Sequence, residues 1–347
     1  MSVLQEGRAR RRHGRRRHSS RRRRPGPYTS PTRRRIEEAF AVLFLSAVAL
    51  LVVMASQAAG PPKPAPKAPL VHHAAAPKAP VRGDYGIAPA PAAQRVTVNL
   101  QLPLKSGLLF NVTNGQVLWA RNPTDVVPIA SLTKMMTALL VVTHSRAPGT
   151  DKVLITHDAL NYTGSGVGLL PLGKRVPLVA LLYGLLLPSG NDAAIALADH
   201  VAGTQTRFIA LMNAKAHALG LKCTHYTTVS GIVDQGNHSC AEDLALLAHL
   251  VLEQPLLAKI VSSPSAVLPF PIKGGKLFLY NNNPLLVTGY PGTDGVKTGF
   301  TDAAGECLVA TARRGNRWLG VVLLHSGNTY DQAMQLLNAG FAHPAGV

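Results

Sequence analysis

Between Ala130 and Ala138 the chain reads Ala-Ser-Leu-Thr-Lys-Met-Met-Thr-Ala, with a serine three residues ahead of a lysine at the head of an apolar run. The run has helical spacing to about Ser145, and helix positions i and i+3 share a face. Ser131 and Lys134 are therefore expected to project together from a helix over about 129–145. A hydroxyl is a weak nucleophile until a base takes its proton. A lysine amine becomes such a base when burial or a neighbouring cation lowers its pKa. The start of a helix also leaves backbone N–H groups free, which suits a developing oxyanion. Taken alone, the pair also describes a helix start followed by a surface lysine.

Two further stretches narrow the choice. Ser189-Gly190-Asn191 follows the apolar run Val176–Leu187, expected to be a buried helix, and opens a helix-like run to about Ala202. Lys297-Thr298-Gly299 closes the strand-like run from Thr293. Ser189 lies 58 residues after Ser131, and Lys297 lies 108 after Ser189. Such separations require a fold that brings a helix, a loop and a strand edge together. The order Ser-x-x-Lys, Ser-x-Asn, Lys-Thr-Gly resembles the signature of the penicillin-recognising serine acyl-transferases.

From about Ser106 to Phe341 the chain resembles the serine-type D-alanyl-D-alanine carboxypeptidases, the low-molecular-weight penicillin-binding proteins. The likeness extends beyond the three motifs. It includes Leu186-Leu187-Pro188 before Ser189, Asp192-Ala193-Ala194 after Asn191, Met212-Asn213-Ala214-Lys215-Ala216, and Asp294-Gly295-Val296 before Lys297. The resemblance implies a β-lactamase/transpeptidase-like α+β fold, an antiparallel sheet with packed helices plus an all-helical region. It implies that Ser131 is the acyl-ester nucleophile and Lys134 its general base. Ser189 and Asn191 would line the opposite wall, Ser189 relaying a proton to the leaving group. Lys297, Thr298, Gly299 and Phe300 would bind substrate, with Lys297 on the terminal carboxylate. The implied partners are peptidoglycan stem peptides, with β-lactams as inhibitors. Cleavage of peptidoglycan cross-links by the same residues is an alternative, and a non-catalytic penicillin-binding sensor another. A class A β-lactamase is disfavoured, because no Glu-x-x-Leu-Asn follows Ser189.

The remaining elements follow from periodicity. Ser106–Asn122 reads as a hairpin about Asn114-Gly115. Helices are expected at 205–219, with Gly220 as a C-cap, at 241–254 and at 329–341. Strands are expected at 153–155, 266–272, 276–280, 306–313 and 317–325. This order of strands, helical middle, strands and helix suits one continuous α+β unit over 95–347. Aromatic residues are 5% of the chain, so Leu, Val and Ala must fill the core.

The net charge of +19 is concentrated at the N-terminus: residues 1–35 hold fourteen Arg and one Glu, whereas residues 95–347 carry eighteen basic and thirteen acidic side chains. Residues 1–38 are expected to be a disordered cytoplasmic tail. Residues 39–59 form a 21-residue stretch without a charge, enough to cross a bilayer. The preceding arginines orient it with its N-terminus in the cytoplasm. That accounts for the basic tail without nucleic acid. A single-pass signal anchor is expected, with the domain extracytoplasmic; the alternative is a signal cleaved after Ser56-Gln57-Ala58. Residues 60–94, rich in Pro and Ala, are expected to be a linker. The Cys and His residues show no metal-ligand spacing, and neither metal nor cofactor is expected. Cys223 and Cys240 stand where the resembled family often has Asn and Thr. In an exported domain they can pair across their loop or remain two thiols. Cys307 is expected in the core. The loop Tyr226–Ile232 departs from the family pattern, which leaves substrate preference open there.

Overall fold

The computed structural model describes residues 85–232 and 236–343. The expected tail, membrane segment and first part of the linker lie outside these residues. The main sheet has six strands: β1 (Ala88–Pro89), β2 (Leu104–Asn111), β3 (Gln116–Arg121), β4 (Thr293–Thr301), β5 (Gly305–Arg314) and β6 (Arg317–Ser326), in the order β1-β3-β2-β6-β5-β4. All pairings are antiparallel except the parallel contact of β1 with β3. The helices that matter here are α1 (Lys134–His144), α2 (Leu178–Leu186), α3 (Asn191–Ala202), α4 (Gln205–Ala218), α5 (Ala241–Leu252), α6 (Pro255–Val261) and α7 (Thr329–Ala342).

Both faces of the sheet are covered, as the near-continuous apolar strands require. Successive strand side chains point to opposite faces. Leu109, Leu308, Ala310, Val321 and Leu323 therefore pack with Leu336 and Leu337 of α7. Leu108, Phe110, Val309, Val322 and Leu324 join the larger core made by the helical region. Gly340 lets α7 approach the sheet: a Cβ there would stand 2.7 Å from a Leu319 methyl. The core is mainly Leu, Val and Ala, as the scarcity of aromatics dictates.

Two boundaries differ from expectation, and three short helices are additional. Residues 85–94, assigned to the linker, belong to the domain. Tyr85 stacks on His249 at 3.6 Å between ring centroids, and Ala90 is buried. The N–H groups of Ala88 and Ala90 bond Gly115 and Val117, so Pro89, which has no N–H, occupies the outward-facing position an edge strand permits. Val176 and Pro177, read as the start of a helix, belong to a short strand, Arg175–Pro177, paired with Lys152–Leu154. Pro177 holds Val176 in an extended conformation, and α2 starts one residue later. Helix α6 and the one-turn helices His157–Leu160 and Pro284–Val287 were not anticipated; short segments carry too little periodicity to be read.

Candidate active site

The helix predicted over 129–145 begins as a 3₁₀ turn, Ala130–Thr133, and becomes α-helical at Lys134. In a 3₁₀ turn residues i and i+3 eclipse, which places Lys134 directly over Ser131. Lys134 Nζ lies 2.8 Å from Ser131 Oγ and 2.7 Å from the carbonyl oxygen of Ser230. The Lys134 side chain has no exposed surface. Ala130, just before the nucleophile, has φ +46°, a left-handed conformation that costs a non-glycine residue energy and clusters at functional sites.

Lys297 is the second buried amine. It sits in β4, an edge strand of the sheet, and donates to the carbonyl of Thr298 at 2.8 Å. Burial lowers its pKa from 10.5 to about 7. Burial is also the main reason that Lys134 is held well below the usual lysine range. The charge of Lys297 adds to that depression and Asp192 opposes it. Disfavouring the charged form suits the Lys134 amine to stand as a neutral base against Ser131.

Strand β4 reaches the nucleophile because Gly299 has no side chain. A Cβ there would lie 3.0 Å from Ile129 O, 3.1 Å from Ser131 N and 3.2 Å from Ala130 Cβ. The third component comes from the loop between α2 and α3. Buried helix α2 is capped by Leu187, and Gly190 N–H donates back to Gly184 O. Ser189 is held at φ +68°. Its hydroxyl is buried and has no hydrogen-bond partner among the described residues, as is the case for Asn191 Oδ1. Buried polar atoms are rarely left unpaired, and Ser189 lines the cleft described below. Asn191 is fixed by its amide, which donates to Thr163 O at 2.6 Å.

Ser131, Ser189, Thr298, Gly299 and Phe300 line one open cleft of about 400 Å³. Lys134, Asn191 and Lys297 are buried residues behind that surface. Phe300 is 64% exposed, so its side chain forms rim rather than floor.

Several supporting residues carried no readable motif. The loop Tyr226–Ile232 lies beneath the nucleophile. Besides the Ser230 carbonyl on Lys134, Val229 O accepts from Thr137 Oγ1 at 2.7 Å. Gly231 packs so close to Ala130 that a Cβ would come within 2.0 Å of its carbonyl oxygen. Asn237 ties the loop down. Its Oδ1 accepts from the N–H of Thr227 and of Thr228, and its Nδ2 donates to Thr133 Oγ1 at 2.9 Å. A lone loop asparagine gives no sequence signal. Asp192 is an acid in the first turn of α3 whose carboxylate accepts from Val167, Gly168 and Ala193 N–H groups. Cys223 and Cys240 form a disulfide that closes this loop, with 5.5 Å between Cα atoms. Cys307 is buried in β5.

A serine with a buried lysine base, a second serine across the cleft and a cationic strand edge define a serine acyl-transferase site. The comparisons agree. The D-alanyl-D-alanine carboxypeptidase family profile matches residues 92–328. The D-alanyl-D-alanine carboxypeptidase DacF of Bacillus subtilis is 35% identical over 223 residues, covering 63% of this chain and 57% of its own. DacB2 of Mycobacterium tuberculosis is 38% identical, covering 69% of this chain and 83% of its own. The crystal structure of the Streptomyces K15 DD-transpeptidase superposes with a TM-score of 0.66 at 31% identity, over 71% of this chain and all of that one. The chain belongs to the D-alanyl-D-alanine carboxypeptidase family. It spans about three-fifths of the length of the DacF and Escherichia coli DacA relatives.

Proposed function

We propose that this chain is a serine-type D-alanyl-D-alanine carboxypeptidase acting on peptidoglycan stem peptides and acylated by β-lactams. The observation that carries the reading is the fully buried Lys134 amine 2.8 Å from Ser131 Oγ. Neutral Lys134 takes the Ser131 proton as the hydroxyl attacks the peptide carbonyl. Gly299 brings β4 beside the Ser131 amide, so the N–H groups of Ser131 and Phe300 receive the oxyanion. Ser189 passes a proton to the departing amine, and Asn191 Oδ1 accepts from a substrate amide. Lys297 binds the terminal carboxylate, with Thr298 beside it. Water then hydrolyses the acyl-enzyme. A β-lactam follows the same path to the acyl stage and stalls there.

The same reading has residues 39–59 as a single-pass membrane anchor with the catalytic domain on the extracytoplasmic side. The 21-residue uncharged stretch and the arginines before it support this. Fractionation of cells should find the protein with membranes; a mature form beginning near Ala59 would overturn the anchor.

The catalytic test is intact-mass spectrometry of wild type and Ser131→Ala after penicillin, then with a pentapeptide stem and a cross-linked muropeptide dimer. A penicilloyl adduct on wild type alone, with release of one D-alanine from the pentapeptide, supports the carboxypeptidase. Cleavage of the dimer alone replaces it with an endopeptidase. An adduct without turnover replaces it with a sensor, and no adduct on folded protein overturns the site.

A further inference from the structure

Beside the cleft stands a two-stranded hairpin, Ser265–Pro269 paired with Lys276–Tyr280. Its second strand alternates strictly: Leu277 and Leu279 are buried, whereas Phe278 and Tyr280 are 59% and 69% exposed. Val267, opposite Phe278, is 55% exposed. The alternation continues past the strand. Asn281 and Asn283 are buried, and Asn282 is exposed and lines the catalytic cleft.

The buried asparagines hold this path. Asn281 Nδ2 donates to Ser263 O at 3.0 Å, and Asn283 Nδ2 to Gly295 O at 2.8 Å. Asn282 N–H reaches Leu187 O, two residues before Ser189. Phe278, Tyr280 and Asn282 thus form one strip that ends at the cleft wall. At about 3.3 Å per residue, Tyr280 stands roughly 7 Å and Phe278 roughly 13 Å beyond Asn282.

We propose that this hairpin face binds the saccharide of the polymer whose peptide arm enters the cleft, which rests on the function proposed above. Exposed aromatic surface of this kind marks an interaction site. Aromatic rings offer flat apolar faces to the C–H side of a pyranose. The Tyr280 hydroxyl, Ser265 and Lys276 on the same face offer polar partners to its substituents. A lipid surface would make use of the apolar groups but not of their alignment with the cleft. A linear ligand extending from the cleft would meet Tyr280 first and Phe278 next.

The test uses the full chain, with Phe278→Ser and Tyr280→Ser made singly and together. Both sites are exposed, so folding is preserved. The double variant should be acylated by penicillin and should release D-alanine from a free pentapeptide within twofold of wild type. Its kcat/KM on the same pentapeptide carried by short glycan strands should fall at least tenfold. Wild type, but not the double variant, should co-sediment with glycan strands stripped of peptide. Equal ratios of glycan-linked to free-peptide turnover in both proteins overturn the proposal. So does failure of wild type to bind stripped strands, or loss of binding to anionic phospholipid vesicles with glycan binding intact. Wild type inert towards penicillin and pentapeptide would instead refute the catalytic reading, and stripped-strand binding would still decide the hairpin.

Discussion

Lys297→Met should stabilise the protein and impair it in the same step. Burial brings the Lys297 amine from 10.5 to about 7. At pH 7 it is half protonated in the folded state and almost fully protonated in the unfolded chain. The folded state therefore forgoes about 4 kcal/mol at pH 7. Between pH 7 and 10.5 the unfolded chain binds more protons than the folded one, so wild-type stability gains from this group as pH rises. By pH 10 the penalty has shrunk to about 1 kcal/mol. Methionine has a similar length and no charge. The variant loses the Lys297–Thr298 hydrogen bond, worth about 1 kcal/mol. It should thus be about 3 kcal/mol more stable than wild type at pH 7 and equal to it near pH 10. Urea unfolding at the two pH values, followed by the fluorescence of Trp119 and Trp318 with the disulfide intact, measures both gaps. Loss of a charged contact with the substrate carboxylate, about 1.5–3 kcal/mol, should lower kcat/KM on the pentapeptide by roughly 10- to 150-fold. A variant no more stable than wild type at pH 7, or a gap that persists to pH 10, would refute the account of Lys297 as a desolvated cation.

Lys134→Ala should slow penicillin acylation by about 10²- to 10⁴-fold, the usual share of a general base; stopped-flow acylation rates test this, and a change under threefold removes Lys134 from the role. Gly299→Ala pushes a methyl against Ile129 O and Ser131 N, so acylation should fall by about tenfold or more while the melting temperature drops by only a few degrees. The Cys223–Cys240 bridge spans a sequence separation of 17; the double Cys→Ser variant should lose about 3 kcal/mol of stability and acylate more slowly, because the loop it closes supplies the Ser230 carbonyl to Lys134. Asn237→Ala removes the acceptor of the Thr228 N–H and the donor to Thr133 Oγ1 and should cost about 2 kcal/mol, with acylation slowed even where the protein remains folded.

Much of the site was legible before the fold because its chemistry is tied to local spacing. Ser131 and Lys134 needed only one turn of chain to meet. The helical run after Asn191 and the strand around Lys297 follow from hydrophobic patterning, and the short, near-continuous apolar runs announce a sheet. The convergence of the three motifs was readable only as an order and a likeness, since nothing in the spacing of Ser189 or Lys297 says how close either comes to Ser131. Boundaries were least legible where periodicity is weak: residues 85–94 read as spacer by composition, yet Ala88 and Ala90 find acceptors on β3.

The sequence by itself determined the local pieces, a nucleophile one turn from an amine and strands able to bury both faces, because these depend on neighbours a few residues apart. Only the tertiary structure decided what the amines are. Burial and the approach of Lys297 turn Lys134 from an ordinary ammonium into a base. A carbonyl 96 residues away at Ser230 holds it, and Gly299 lets a strand from the far end of the chain touch the nucleophile turn. Charge state and close approach depend on everything packed around a group, and that packing is a property of the whole fold.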